Sequence, residues 1–121
     1  MERVRFVMHK GKRILLTDFS GLAPGKEFAE TVDASRKTIA SQPPKSLLSL
    51  LDATGAHYDN EMLGLLKELV KSNTPYMKLS SLVGITGLLG IAVRTIAAVA
   101  GRSFNLFNTR EEAMDWLAAQ V

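Results

Sequence analysis

Hydrophobic and polar positions change their period several times along this 121-residue chain, and each change predicts a different element. Strict alternation is typical of a strand with one buried face, and a short continuous apolar run indicates a strand covered on both faces. Apolar residues spaced three and four apart predict amphipathic helices. The pattern predicts strands over residues 4–8, 13–19, 47–51, 79–85 and 103–107, helices over 26–40, 60–72 and 87–100, and a last helix opening at 109–112.

Short polar signals separate these elements. Gly11 suits a tight turn between the first two strands, and Asp59 is a candidate N-cap for the second helix. Thr109 and Glu112 form a capping box. The resulting order, β-β-α-β-α-β-α-β-α, predicts a single α/β domain with a mixed, mostly parallel five-stranded sheet, an N-terminal β-hairpin and four helices.

The third predicted helix is unusually apolar, because residues 87–101 contain only two polar side chains, Arg94 and Thr95. A surface helix normally keeps a polar face, so this one needs a cover: the sheet, a second copy, an apolar molecule or a membrane surface. We expect a ligand or interface contact from Gly87, Leu88, Gly90, Ile91, Ala97 and Ala98. Leu89, Val93 and Met77 are further candidates for lining an apolar pocket.

Glycines surround the start of this helix. Gly84, Gly87 and Gly90 follow a strand and open the helix, where free amides can receive an anion. The spacing is not that of a dinucleotide fingerprint. We expect instead that Gly87 and Gly90 let the helix pack closely on the sheet.

Composition narrows the class of protein. The absence of cysteine excludes disulfides, thiolate nucleophiles and cysteine-ligated metals. The first thirteen residues lack the apolar core of a signal peptide, and we predict a cytoplasmic protein. Arg94 and several glycines interrupt the apolar stretch 79–101, which argues against a transmembrane span.

The net charge is +3, and five of the fifteen basic residues lie in the first thirteen positions. Phe6 is the single aromatic residue in this stretch, and no series of interleaved aromatic residues or recognition motif indicates a nucleic-acid site, so we predict no nucleic-acid partner. A solvated hairpin that guards an edge strand is the simpler interpretation.

Polar residues gather where the parallel strands should end, the place where such sheets bind ligands. They are Asp18, Ser20, Asp52, Thr54, His57, Asp59 and Thr86. Asp18 and Asp52 could share a proton or hold a divalent ion, yet aspartate before a small residue and glycine is also an ordinary strand exit. His57 has no recognisable nucleophile, and His9 should be solvated in the hairpin turn. No catalytic motif is present, so we predict no enzyme, catalytic residue, metal or cofactor.

The order of elements resembles the STAS fold, and most closely the bacterial SpoIIAA-like group, which is also compared with CRAL-TRIO lipid carriers. The resemblance is carried by residues 11–15 (GKRIL), 18–21 (DFSG), 51–55 (LDATG), 83–87 (VGITG) and 107–117 (FNTREEAMDWL). It implies a non-enzymatic regulatory or protein-interaction module.

STAS antagonists are switched by phosphorylation of a hydroxyl at the start of the second helix. The matching stretch here is 59–62 (DNEM), with Glu61 in place of a serine or threonine, so the resemblance implies the scaffold without the switch. The candidate switch or partner surface is Asp52, Thr54, His57, Asp59 and Glu61.

Three hypotheses follow from the apolar helix. The first is an interaction module that forms a homodimer or binds another protein. The second is a carrier or sensor of a small apolar, lipid-like ligand, which requires an internal pocket of a few hundred Å³, roughly the scale of known ligand sites. The third is peripheral membrane attachment through the basic hairpin and this helix.

Overall fold

The computed structural model describes residues 2–85 and 87–121, without the side chain of residue 88. The strands are β1 (Val4–His9), β2 (Lys12–Asp18), β3 (Leu47–Asp52), β4 (Met77–Val83) and β5 (Asn105–Phe107). The helices are α1 (Lys26–Ala40), α2 (Asn60–Asn73), α3 (Gly87–Ala100) and α4 (Arg110–Ala119).

The five strands form one sheet in the order β1-β2-β3-β4-β5. The β1–β2 hairpin is antiparallel, and every later neighbour is parallel. β3 is the central strand. The register places Asp18 beside Asp52, so the exits of β2 and β3 lie next to each other. The predicted fold class, with its element order, hairpin and four helices, is confirmed.

Helices cover both faces of the sheet. α4 lies on one face, where Ile14, Leu50 and Leu117 are completely buried. α1 and α2 lie on the other face, around Phe19 and Phe28, whose ring centroids are 4.9 Å apart. α3 packs mainly against α2. The sheet therefore has one face sealed by a single helix and one face shared by three.

Local signals fix the helix starts. The Asp59 carboxylate accepts a hydrogen bond from the Met62 amide at 2.9 Å, and the Thr109 hydroxyl accepts one from the Glu112 amide at 3.2 Å. Both predicted caps are confirmed. β5 is shorter than predicted, because it pairs with β4 over only three residues.

The hairpin tip corrects one expectation. His9 is not solvated in a turn, because it ends β1 and its Nε2 lies 2.6 Å from the Asp115 carboxylate on α4. Lys10 reaches the same oxygen at 3.0 Å. The hairpin tip is thus held to α4 by the His9 hydrogen bond and the Lys10 ion pair.

One finding concerns membranes. Over residues 2–85 and 87–121, no helix combines the length and apolarity needed to cross a bilayer.

Candidate binding site

The carboxyl edge of the sheet holds a compact charge cluster. Asp18 and Asp52 are both bound by Arg110, whose Nη2 lies 3.0 Å from Asp18 Oδ2 and whose Nε lies 2.5 Å from Asp52 Oδ2. The side chains of the two aspartates are only 12% and 6% exposed. Arg110 begins α4, so this arginine ties the helix start to two strand ends.

The second oxygen of each aspartate is held by its own turn. Asp18 Oδ1 accepts the Ser20 amide at 2.9 Å and its hydroxyl at 2.5 Å. Asp52 Oδ1 accepts the Thr54 amide at 2.9 Å and its hydroxyl at 2.6 Å. The two strand exits are therefore built alike, and their hydroxyls serve the turns, as the sequence suggested.

Electrostatics agree with a structural role for this cluster. Burial acts to raise the pKa of Asp18, but hydrogen bonds from Ser20 and Arg110 outweigh it, and the pKa is lowered. Burial acts to lower the pKa of Arg110, but its bonds to Asp52 and Asp18 raise it. Asp18 and Arg110 therefore stay charged near neutral pH, and the arginine lies between the two carboxylates as their shared partner. Within the described ranges, no group of His, Asp and Glu side chains is arranged to hold a metal ion.

The predicted switch surface does not form one constellation. Asp52 and Thr54 are joined by hydrogen bonds, whereas the Asp59 carboxylate caps α2. His57 is exposed and anchored by its backbone amide to the Leu22 carbonyl at 2.8 Å. Glu61 is exposed in the first turn of α2. Thr86, the remaining residue of the predicted edge, lies outside the described residues.

The close approach in the glycine segment is at Gly84. Its φ is +77°, and a Cβ there would lie 2.6 Å from the backbone N and Cα of Thr54. A Cβ at Gly87 or Gly90 would meet no described atom within 4 Å. The expectation that Gly87 and Gly90 allow close packing on the sheet is therefore wrong. The close approach is between Gly84, just after β4, and Thr54, just after β3.

A cavity of about 70 Å³ separates α3 from the sheet. Its walls come from β3, β4, α2 and α3, and most are hydrocarbon. The apolar residues around it include Leu51, Leu66, Leu69, Leu82, Leu89, Val93 and Ile96. The serines Ser49 and Ser80, neighbours in the β3–β4 register, form part of its floor. The cavity is smaller than the few hundred Å³ that the hypothesis of a lipid-like ligand requires.

The predicted α3 residues divide between the two sides of this helix. Leu89 and Val93 line the cavity, and Ala97 is 8% exposed. Ile91 is 61% exposed and Ala98 is exposed, so these two residues do not line the cavity, and their contact with an interface stays a prediction. The side chain of Leu88 lies outside the described part of the chain. Met77 was also expected at the pocket but instead packs near Leu15, Ile39 and Leu47.

Sequence reasoning missed Arg102 and Phe104, which close one end of the cavity. The Arg102 guanidinium lies 4.6 Å from the centre of the Phe104 ring. One signal was available: Gly101, with φ of +67°, ends α3 and directs the next residue back toward the protein. An arginine just after an apolar helix was therefore a candidate for an inward-facing charge.

Comparison with solved structures identifies the same fold in an uncharacterised protein of the DUF3478 family with a SpoIIAA-like fold, from Shewanella loihica PV-4. The two chains are 16% identical, with a TM-score of 0.73, over 94% of this chain and 91% of that one. The SpoIIAA-like resemblance is confirmed at the level of fold. No protein-family model and no curated protein matches the sequence. The CRAL-TRIO likeness, the homodimer and the cytoplasmic location stay predictions.

Proposed function

We propose that this protein is a non-enzymatic binding module that holds a small apolar molecule between its sheet and helices α2 and α3. The observation that carries this proposal is the cavity of about 70 Å³ beneath α3. Ligand sites are typically apolar enclosures with a few polar groups at defined points. The hydrocarbon walls, with Ser49, Ser80 and Arg102 among the polar lining residues, match that description.

The volume limits the size of the ligand. At about 70 Å³ the cavity is well below the roughly 300–1,000 Å³ of sites that hold drug-sized ligands. We therefore expect a short chain or a single ring rather than the larger lipid-like ligand of the alternative hypothesis.

The sheet edge supports a non-enzymatic role. Asp18 and Asp52, the two buried acids there, already bind Arg110 and the turn hydrogen bonds of their own loops. General acid or base work requires a group that can exchange its proton near the working pH. Carboxylates whose oxygens are already bound by a shared arginine and by their own turns are poorly suited to that exchange.

Titration with 1-hexanol, followed by methyl NMR, tests the proposal. We expect shifts of the methyl signals of Leu82 and Val93, which line the cavity, and none of Leu117, which is buried on the opposite face of the sheet. Ser49→Leu should fill the cavity and abolish these shifts. Ala98→Leu adds a similar side chain on the outer side of α3 and should preserve them. Absence of shifts at Leu82 and Val93 in the unmodified protein would contradict the proposal.

The outer side of α3 favours a second function, self-association or binding of a protein partner. Ile91 and Val99 are 61% and 63% exposed, two turns apart on one side of the helix, with Ala98 beside Val99. Ala98→Glu should shift the sedimentation coefficient toward the monomer if this surface joins two copies. Ala97→Glu is unsuitable, because Ala97 is 8% exposed and a carboxylate there would disturb the fold.

A further inference from the structure

Arg102 enters the cavity wall because of the way α3 ends. Its amide donates to the Ala97 carbonyl at 2.8 Å, and the Gly101 amide donates to Ala98 at 3.3 Å. This pair of bonds, with positive φ at Gly101, is a Schellman termination. It reverses the chain, and the Arg102 side chain lies between α2 and β4.

The partners of the Arg102 guanidinium are all neutral. Nη1 donates to Asn73 Oδ1 at 2.5 Å and to the Val70 carbonyl at 3.5 Å, and Nη2 donates to the Ser80 hydroxyl. Among the described residues, no carboxylate lies within 4.0 Å of this group. Burial lowers the pKa of Arg102 to about 10, which still leaves it protonated at neutral pH.

Arg110 provides the contrast within the same chain. Arg110 binds two carboxylates, whereas Arg102 binds none in the described structure. Removing an arginine from water without a counter-charge is costly. The C-terminal end of α2 carries a partial negative charge, and its Val70 carbonyl accepts a hydrogen bond from Arg102, but this only partly replaces a full counter-charge. A site that buries a cation beside an apolar space is therefore suited to an anionic group on an apolar ligand.

The unused hydrogen-bond donors of Arg102 also favour an anionic ligand group. A guanidinium has five N–H donors, and the bonds above engage three of them. Nε–H and the second Nη2–H have no acceptor among the described residues. Arg102 is only partly buried and lines the cavity, so a small group in the cavity can approach its guanidinium. Nε–H and Nη2–H are a pair that can hold a carboxylate through two parallel bonds.

We propose that Arg102 is the head-group subsite of the cavity and binds the carboxylate of a short apolar acid whose chain lies beside Leu82, Leu89 and Val93. This inference rests on the proposed function. A carboxylate is favoured over larger anions because the whole cavity is small, about 70 Å³. The neutral ring of Phe104 supports the guanidinium from one side and leaves its donor edge for the ligand.

Hexanoate and 1-hexanol form the matched test, because they share a chain and differ in the head group. We expect the protein to bind hexanoate at least about tenfold more tightly than 1-hexanol, since hydrogen bonds to a charged group are strong. The Arg102 Nε–H signal in a ¹H–¹⁵N spectrum should shift with hexanoate and not with 1-hexanol. Arg102→Gln should remove the preference while 1-hexanol still shifts the Leu82 and Val93 methyl signals.

Each result decides between the two proposals. Equal affinities for hexanoate and 1-hexanol would overturn the head-group subsite and leave the apolar site in place. Hexanoate binding that leaves the Nε–H signal unmoved would also overturn the subsite. Binding of neither compound would overturn the proposed function and the subsite with it. If Arg102→Gln fails to fold, the Nε–H signal of the unmodified protein gives the answer.

Discussion

Replacing Arg110 by methionine should destabilise the fold, and the loss should depend on pH. The substitution keeps an apolar stem but removes the guanidinium that binds Asp18 Oδ2 at 3.0 Å and Asp52 Oδ2 at 2.5 Å. Two neighbouring, mostly buried carboxylates would then lack their shared cation. Each would keep the hydrogen bonds of its own turn.

The structure gives the scale of this loss. Breaking a buried ion pair by removing one partner costs about 3–5 kcal/mol. Arg110 is 33% exposed and the turn bonds remain, so we expect a loss of about 2–3 kcal/mol in the free energy of unfolding at pH 7. Trp116, the only tryptophan, lies on α4 and reports unfolding in urea through its fluorescence.

The sign of the pH dependence follows from Asp18. Its lowered pKa in the fold contributes stability that is present above the unfolded pKa and is lost as pH falls through the folded one. The methionine variant lacks part of this contribution. The difference between the two proteins should therefore be largest near neutral pH and shrink in acid, where the carboxylates are protonated.

A matched control is Arg36→Met, because Arg36 pairs with Asp33 on the exposed surface of α1. That variant should lose less than about 1 kcal/mol. The reasoning is refuted if Arg110→Met costs no more than this control at pH 7. A difference from the unmodified protein that grows as the pH falls would refute it equally.

Two further pairs of substitutions test the close approach of Gly84 to Thr54 and the cap of α2 by urea unfolding. Gly84→Ala should cost about 3 kcal/mol or more, because the left-handed backbone and the overlap with Thr54 add together. Gly21 has a φ of +69° but no neighbouring atom within 4 Å of a Cβ, so Gly21→Ala should cost only about 1–2 kcal/mol. Equal losses for Gly84→Ala and Gly21→Ala would contradict the proposed overlap with Thr54. Asp59→Ala should cost about 1 kcal/mol by removing the bond to the Met62 amide, and Asp59→Asn should restore most of it.

Elements with local signals could be predicted from the sequence. Asp59 and Thr109 cap their helices through residues three positions away, so the signal and its structure lie in one short segment. The mostly parallel sheet could be predicted from the element order, because a helix between consecutive strands is typical of parallel neighbours. Asp18 and Asp52 were expected at one sheet edge, and their register confirms it.

Contacts that join distant segments could not be predicted in the same way. Arg110 is 58 residues from Asp52, and Arg102 is 29 residues from Asn73. One clue to the first contact was present, because an arginine at the start of a helix is disfavoured by the helix dipole unless an acid lies nearby. The sequence contained no such clue to the cavity beneath α3, because its volume depends on the distance between the helix and the sheet.

The origin of that volume lies in the sheet rather than in α3. On the face beneath α4, Leu16 and Leu50 are adjacent in the register and fill the space with large side chains. On the other face, Ser49 and Ser80 are adjacent in the register, and their small side chains leave the space that α3 covers. This arrangement accounts for a helix with an apolar inner side that does not rest directly on the sheet.

Substitutions on the two faces of the sheet should therefore have different effects. On the α4 face the core side chains are buried and Arg110 joins the helix to two strand ends, so substitutions there should mainly lower the stability of the fold. The α3 face keeps an opening that a larger residue at Ser49 would fill, and filling cavities commonly raises stability. A Ser49→Leu variant that is more stable and no longer binds hexanol would indicate that the opening is kept for a ligand at the expense of packing.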